Sequence, residues 1–316
     1  MNRRSFLGAT AGAALTCPSS AATKIPIIDC HIHLFDTARP QGVPWPEKKN
    51  TALYKPAMPD RYRSIAVPLG VTGAIKVEAS PWLEDNQWVL DVAAKDKIIV
   101  GVVGNLEPGK PEFAKNLERF HKNKLFLGIR CGNLWDRNFT DDVKRPEFIA
   151  DVKLLAKAGL SMDTANPNPS LMADVVRLTD RVPELRFIID HLPQMAKPTD
   201  PAILRDYKAH LQEIGKRPQI YVKISEVFRR VDGKIPTDLG FYKANLDEIF
   251  GVFGEDRVLY GSDWPNSDNW LPYPEVLRIA QEYFNTKGQV AAEKYFWKNS
   301  VKAYRWVKRD SSQPSA

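Results

Sequence analysis

Cysteine is scarce in this sequence, and long apolar runs are missing from it. Only three of the 316 residues are cysteines, and Cys17 lies in the leader described below. The other two, Cys30 and Cys131, cannot build a disulfide framework, so we expect reduced, buried thiols. No apolar run approaches the roughly 18 residues that a membrane-spanning helix requires, and no membrane span is predicted.

Charge of one sign is not concentrated anywhere in the chain. Lys and Arg number 45 against 38 Asp and Glu, which gives a formal net charge of +7, and the basic residues are scattered. This pattern argues against a nucleic-acid partner and favours a small-molecule substrate, anionic or polyhydroxylated. The hydrophobic fraction of 43% is ample for one large core.

A short basic and apolar leader precedes the rest of the chain. Arg3 and Arg4 stand ahead of a Phe-Leu pair, and a mildly apolar run at 9–16 and small residues at 20–22 follow. The segment resembles a twin-arginine export signal, which is a receptor-read address and not an anchor. We predict a signal over residues 1–22 cleaved near Ala22, the twin-arginine machinery as a partner, and a periplasmic or secreted location. An accidental basic N-terminus is the alternative.

Strand-like and helical segments alternate along the remainder of the chain. The eight strand-like runs are short and almost continuously apolar, as is typical of parallel strands covered on both faces; they span residues 25–35, 73–79, 98–106, 125–131, 160–164, 186–191, 220–225 and 257–263. The alternation predicts an α/β protein, a single (β/α)8 TIM barrel over residues 23–309. A doubly wound open sheet is the alternative, but its Gly-rich first turn is replaced here by two histidines.

Three segments stand apart from the alternation. Residues 36–59, rich in Pro, Trp and Lys, predict a long loop after the first strand that partly covers a site. Residues 289–308 predict a C-terminal helical extension whose aromatic side chains pack on the barrel. Residues 310–316 are expected to form a disordered tail.

The first strand ends in two histidines, His31 and His33. Because side chains alternate along a strand, the two rings share one face about 7 Å apart and are able to bind one cation. Cys30 has the opposite parity and is expected to point outward. Polar residues also end the other seven runs, where barrel enzymes carry their chemistry; they are Glu78, Asn105, Glu107, Arg130, Asp163, Asp190, His191, Lys223, Ser225, Glu226 and Asp263.

Asp263 closes the eighth strand-like run. In a closed barrel the eighth strand lies beside the first, so this carboxylate is expected to reach the cation or water held by His31 and His33. A carboxylate in that position binds metal weakly and takes a proton from attacking water. Capping of the next helix is its alternative role.

Three motifs together resemble the amidohydrolase-related family, and most closely its branch of sugar-lactone and muconolactone-type lactonases. They are His-Ile-His at 31–33, Asp-His-Leu-Pro at 190–193 and Gly-Ser-Asp-Trp-Pro at 261–265, with supporting matches at 56–60, 76–79, 128–130 and 223–225. The resemblance implies a (β/α)8 hydrolase in which a water attacks an ester carbonyl. It also implies a centre of His31, His33, His191 and Asp263, which in many members holds zinc or a similar divalent ion.

These considerations assign a role to each candidate residue. Asp263 is expected to act as general base in opening a sugar- or muconate-type lactone, while Arg130 and His191 stabilise charge on the carbonyl oxygen. Structural pairing with a buried acid is the alternative for Arg130. His191 is either a metal ligand or an acid beside the carbonyl. The predicted substrate-binding residues are Glu78, Arg130, Asp163, Lys223 and Trp264, and Trp45 and Trp82 are further candidates for the pocket wall.

Two departures from the family pattern leave other functions open. Related decarboxylases have a histidine at the fifth strand end, where this chain has Asp163, and Glu226 stands where lactonase relatives tend to have a small residue. A metal-dependent non-oxidative decarboxylase of an unsaturated or aromatic acid is the first alternative function. A non-catalytic exported binding protein is the second.

Overall fold

The computed structural model of the protein describes residues 24–315. Eight parallel strands follow one another around a single sheet in chain order, and helices surround the sheet. The predicted (β/α)8 barrel is confirmed. The predicted export signal, residues 1–22, lies outside the described residues. Within residues 24–315 no helix is long and apolar enough to cross a bilayer.

The strands and helices alternate as predicted. The strands are β1 (Ile27–Ile32), β2 (Val71–Val77), β3 (Ile99–Gly104), β4 (Phe126–Gly132), β5 (Ser161–Ala165), β6 (Arg186–Ile189), β7 (Ile220–Ile224) and β8 (Val258–Tyr260). The helices are α1 (Pro59–Ala66), α2 (Glu84–Lys95), α3 (Phe113–Phe120), α4 (Phe139–Asp142), α5 (Pro146–Lys157), α6 (Pro169–Arg181), α7 (Pro201–Gly215), α8 (Leu239–Phe253), α9 (Tyr273–Asn285), α10 (Gln289–Glu293) and α11 (Asn299–Tyr304).

Local sequence signals explain where several helices begin. Helices α5, α6 and α7 carry proline in the first turn, where the missing N–H costs nothing. The side chains of Asn168, Asp200 and Asp238 accept hydrogen bonds from the first backbone N–H groups of α6, α7 and α8. These caps satisfy donors that would otherwise be left without a partner.

The first and last strands meet at a short seam. The backbone N–H of Asp263 donates to the carbonyl of His31 at 2.8 Å, and the N–H of His33 donates to the carbonyl of Trp264 at 2.7 Å. One carboxylate oxygen of Asp29 also accepts from the N–H groups of His31 and Ser262, at 3.2 and 2.9 Å. The seam therefore brings together the two strand ends that carry the candidate site.

The interior of the barrel corrects one prediction. Cys30 lies in the interior cluster with Ile28 and Leu259, whereas parity with His31 predicted an outward position. A register irregularity in β1 between Asp29 and Ile32 reverses the alternation of the side chains, as a β-bulge does. Cys30 and Cys131 are both buried, free thiols.

The C-terminal segment closes on the barrel. Tyr304 and Trp306 join the interior cluster, in accord with a packed helical extension. The expectation of a disordered tail is wrong for residues 310–315, because Gln313 is buried. Its side-chain oxygen accepts from the backbone N–H groups of Arg309 and Asp310, and its amide donates to the carbonyl of Lys97 at 2.8 Å.

Candidate active site

Three histidine rings face one carboxylate oxygen at the carboxyl end of the barrel. Oδ1 of Asp263 lies 3.0 Å from Nε2 of His33, 3.4 Å from Nε2 of His31 and 3.7 Å from Nε2 of His191. All four side chains are nearly inaccessible to solvent. The structure thus assembles the residues predicted as the centre, although they come from both ends of the chain.

The backbone turns sharply where three of the site residues leave their strands. His191, Glu226 and Asp263 have φ angles of 52°, 48° and 59°, in the left-handed region that residues other than glycine seldom adopt. The conformation ends β8 at Tyr260, earlier than the predicted run to residue 263. Such local strain costs on the order of 1–3 kcal/mol per residue and is concentrated at functional sites.

A layer of paired charges lies directly beneath the histidines. Nζ of Lys223 lies 2.7 Å from Asp163 Oδ2, 2.9 Å from Asp190 Oδ1 and 3.1 Å from His31 Nδ1. Arg130 donates through Nε to the other oxygen of Asp190 at 3.0 Å. Lys223 and Asp163 are fully buried, so the prediction that they bind substrate is corrected: they support the site from below.

A further correction concerns Trp264. Its side chain is fully buried and packs against the ring of Tyr62, with the ring centroids 5.2 Å apart. Its backbone carbonyl carries a hydrogen bond of the seam. Trp264 therefore helps to hold β8 against β1 and is not among the residues that line the cavity above the centre.

A cavity of about 240 Å³ opens above the centre. Its wall contains five of the predicted site residues, as well as the candidate Trp45; the lining residues are His33, Trp45, Glu78, Ala79, Arg130, Leu134, Trp135, Asn166, His191, Asp263 and Asn266. Trp82 is not among them. The cavity is large enough for a monocyclic substrate of the size of a sugar lactone.

Glu78 reaches the cavity wall with its charge already neutralised. Both of its carboxylate oxygens accept from Nη2 of Arg137, at 2.9 and 3.0 Å. Arg137 follows β4 in a loop and escaped the sequence analysis, because nothing in the local pattern marks it. The terminal nitrogens of Arg130, in contrast, form no hydrogen bond with any residue of the described range 24–315, and they belong to the cavity wall.

Asn266 and Glu226 are also functional candidates that the sequence analysis did not assign. The amide nitrogen of Asn266 donates to Asp263 Oδ2 at 2.7 Å and to Glu226 Oε1 at 2.9 Å. Asn266 thereby occupies one oxygen of Asp263 and leaves Oδ1 to the histidines. Only the position of Asn266 three residues after Asp263 could have indicated this contact.

Burial and mutual charge set the ionisation of the centre. Burial alone would raise the pKa of Asp263, but the neighbouring imidazoles of His191, His33 and His31 hold the pKa well below its usual range. Burial lowers the pKa of His191 to about 4 and, with the charge of Lys223, holds that of His31 well below its usual value. Burial and the charge of Asp263 raise the pKa of Glu226 well above its usual range. At neutral pH the Asp263 carboxylate is therefore ionised.

The residues of the centre that could hold a metal ion fall into three overlapping groups, one of which is His31, Asp190 and His191. His31, His33 and Asp263 bring one donor atom each to within 4.8 Å of one another, and His191, Asp263 and Glu226 form a second such group. Nε2 of His31 is buried and has no hydrogen-bond partner, as expected of an atom that faces a ligand. Two imidazoles and a carboxylate fit a divalent cation such as zinc by donor type.

A sequence profile of the amidohydrolase family matches residues 28–306, which is most of the chain and contains every residue of the centre. The chain belongs to this family. The resemblance drawn from the three sequence motifs is therefore confirmed.

Two curated lactonases and one solved structure are similar to this amidohydrolase. An L-fucono-1,5-lactonase of Burkholderia ambifaria is 26% identical over 244 residues, which cover 76% of this chain and 80% of that one. An L-fucono-1,5-lactonase of Burkholderia multivorans is 23% identical over 286 residues, covering 85% and 92%. The crystal structure of an amidohydrolase from Burkholderia multivorans with bound zinc superposes with a TM-score of 0.78 at 21% identity, over 89% of this chain and 100% of that one.

Proposed function

We propose that this amidohydrolase is a lactonase that opens a sugar-type lactone by attack of a water molecule, with Asp263 as the general base. The observation that supports this proposal is the ionised Asp263 carboxylate, turned toward three imidazoles at the floor of a cavity that also contains Arg130. A carboxylate in such a position accepts a proton from water as the water attacks an ester carbonyl. The lactonase relatives support the same reaction class.

The two carboxylate oxygens of Asp263 have different partners, and we assign one to orientation and the other to catalysis. Asn266 binds Oδ2 and fixes the plane of the carboxylate, so Oδ1 receives the proton of the attacking water. Arg130 is anchored through Nε on Asp190, which leaves its terminal N–H groups to stabilise the negative charge that develops on the carbonyl oxygen. His191 is neutral at pH 7 because its pKa is about 4, so it acts as a hydrogen-bonding group and not as a charged acid.

The wall of the cavity favours a neutral, polyhydroxylated ring over a dicarboxylate. Two amides, Asn166 and Asn266, and two indoles, Trp45 and Trp135, line it, and these groups hydrogen-bond hydroxyls and cover the apolar face of a ring. The charge of Glu78 is neutralised by Arg137. Arg130 is then the one cation on the wall within the described range that is left for the reacting carbonyl, and a second carboxylate of a substrate would find no counter-charge.

A divalent cation such as zinc would be held by His31, His33 and Asp263. His191 belongs to another group of possible ligands, together with Asp263 and Glu226. When bound, it would supply Lewis-acid activation of water and of the carbonyl group. The decarboxylase alternative depends on firm metal binding. In this chain the fifth strand contributes Asp163, which is tied to Lys223 and to the hydroxyl of Tyr304, so that alternative gains no support.

The lactonase proposal is tested with a panel of neutral aldonolactones, including L-fucono-1,5-lactone, and with cyclic ester dicarboxylates. Acid release and carbon dioxide release are measured in parallel. We expect acid release from the neutral lactones, with a loss of at least about a hundredfold in kcat for Asp263→Asn. Asp268→Asn is the matched control, because this carboxylate pairs with Arg61 outside the centre. Carbon dioxide release without acid release, or ligand binding without turnover, would contradict the proposal.

We also propose that residues 1–22 direct export through the twin-arginine machinery to the periplasm or beyond. The Arg3-Arg4 pair ahead of a mildly apolar run supports this. Replacement of both arginines by lysine should leave the protein in the cytoplasmic fraction of the expressing cells. Unchanged export of that variant would reject the proposal.

A further inference from the structure

Lys223 contacts His31 through Nδ1, the ring nitrogen opposite the one that faces Asp263. Its ammonium group, at the centre of the paired-charge layer, has three acceptor atoms within 3.1 Å: Oδ2 of Asp163, Oδ1 of Asp190 and Nδ1 of His31. The side chain is fully buried, so no solvent competes for these contacts. Two positive groups, Lys223 and Arg130, balance the two carboxylates, and the layer as a whole is neutral.

Proton accounting then fixes the state of His31. An ammonium group has three N–H donors and no lone pair, so a nitrogen 3.1 Å from it has to accept. Nδ1 of His31 is therefore unprotonated, and the single proton of the neutral ring resides on Nε2. Asp190 does not offer Nδ1 an alternative, because its nearest oxygen is 3.6 Å away, beyond hydrogen-bond distance.

His33 is held in the opposite form. Its Nδ1 lies 3.1 Å from the carbonyl oxygen of Val77, which only accepts, so this nitrogen carries a proton. The two histidines of one strand thus differ at Nδ1. His31 turns Nε2 toward Oδ1 of Asp263 at 3.4 Å without a hydrogen bond among the described residues, whereas Nε2 of His33 is hydrogen-bonded to the same oxygen at 3.0 Å.

We propose that Lys223 is a positioning residue that fixes His31 in the Nε2–H tautomer. The inference rests on the proposed function in taking Asp263, whose Oδ1 lies 3.4 Å from Nε2 of His31, as the base. It has a second consequence, for metal binding. A cation at the centre requires the lone pair of Nε2, so the contact between Lys223 and His31 opposes metal binding and leaves His31 as a hydrogen-bond donor in the metal-free protein.

The wild-type protein provides the first test. Nitrogen-15 NMR of histidine-labelled, chelator-treated protein separates protonated from unprotonated ring nitrogens, and the chain has only five histidines. Signals are assigned by their loss in His31→Gln and His33→Gln. We expect an unprotonated Nδ1 and a protonated Nε2 for His31, with a protonated Nδ1 for His33. A proton on Nδ1 of His31 would overturn the proposal.

A variant provides the second test. Lys223→Met combined with Asp163→Asn removes one positive and one negative charge and keeps the buried layer neutral. Without the ammonium group, Nδ1 of His31 is free to take the proton and Nε2 to bind metal. Zinc affinity, measured by competition with a chelator, should rise about 10- to 100-fold, the usual effect of altering the partner of a ligand histidine. Asp163→Asn alone retains Lys223 and leaves one unbalanced positive charge in the layer, so it should not raise zinc affinity above that of wild type.

Zinc affinity in the double variant no higher than in wild type would overturn the proposal. The NMR measurement on the wild type decides the tautomer even where the double variant does not fold. Neither readout involves turnover, so a protein that hydrolyses no lactone could still confirm the tautomer. Conversely, an active lactonase with a proton on Nδ1 of His31 would retain the proposed function and lose this inference.

Discussion

Nε2 of His33 lies 3.0 Å from Oδ1 of Asp263, a residue 230 positions later in the chain. The contact exists because β8 closes on β1, where the backbone of Asp263 donates to the carbonyl of His31. The carboxylate that follows the last strand is in this way hydrogen-bonded to a ring at the end of the first strand. The predictions below follow from this arrangement and from the charges packed around it.

Replacement of His33 by Asn keeps one of its two contacts and removes the other. In His33→Asn the amide nitrogen is placed to keep the hydrogen bond to the Val77 carbonyl, but no atom reaches Asp263. We expect kcat/KM for the best lactone to fall about 10- to 100-fold, while the thermal unfolding midpoint changes little. His210→Asn, in helix α7 away from the centre, is the matched control and should retain the wild-type rate. Full activity of His33→Asn would show that the ring does not orient the base.

The seam between β1 and β8 depends on Asp29. Its carboxylate accepts from the backbone of His31 and Ser262 and from the hydroxyls of Tyr62 and Tyr273. In Asp29→Ala four buried donors lose their partner, and we expect a loss of about 4 kcal/mol in the free energy of unfolding. The rate should fall as well, because Ser262 precedes the base.

Asp29→Asn is the comparison variant for the seam. Its amide oxygen still accepts from the two backbone N–H groups, and the tyrosine hydroxyls are able to rotate and accept from its nitrogen. Denaturant unfolding should therefore place this variant between wild type and Asp29→Ala. Equal stability of Asp29→Ala and wild type would mean that the seam does not require the carboxylate.

Arg130 combines an anchored nitrogen with terminal nitrogens in the cavity. Arg130→Lys retains the positive charge but has a single donor group, which cannot both bind Asp190 and reach the carbonyl. We expect kcat to fall about a hundredfold, the usual cost of one lost donor to a developing oxyanion, with a smaller change in KM. Steady-state kinetics measure both constants, and Arg61→Lys, at a residue that pairs with Asp268 and does not line the cavity, serves as the control. A change confined to KM would assign Arg130 to substrate binding alone.

The barrel and the residues of the centre could be predicted from the sequence because both depend on where residues stand along a strand. Apolar runs that end in ionisable residues predicted the carboxyl ends of the strands, and the order of a closed barrel paired the first end with the last. Depth and orientation were not predictable in this way. Lys223 and Asp163 lie one layer below the cavity, and the bulge in β1 that turns Cys30 inward leaves no mark in the alternation of residues. Arg137 binds Glu78 and Asn266 binds Asp263. Both partners lie outside the strands, where the residue pattern predicts no position for a side chain.

A buried lysine outside the centre leads to the last prediction. Lys76 belongs to strand β2, is 4% exposed, and forms no hydrogen bond or ion pair with any residue between 24 and 315. Burial lowers its pKa to about 8, although the charges of Glu78 and Asp85 act in the opposite direction. In the unfolded chain the pKa returns to an ordinary value near 10.5. Between these two values the unfolded chain binds more protons than the folded protein, so the contribution of Lys76 to stability rises with pH.

At pH 7 both states are protonated, and the folded protein bears the full cost of the buried charge, about 3 kcal/mol. Lys76→Met should therefore raise the free energy of unfolding by about that amount at pH 7, and by progressively less as the pH approaches 10. Urea unfolding at pH 7 and pH 9.5 measures the difference, with the exposed Lys95→Met as the control for the same chemical change at the surface. A Lys76→Met variant that is less stable than wild type at pH 7 would show that the ammonium group has a stabilising partner.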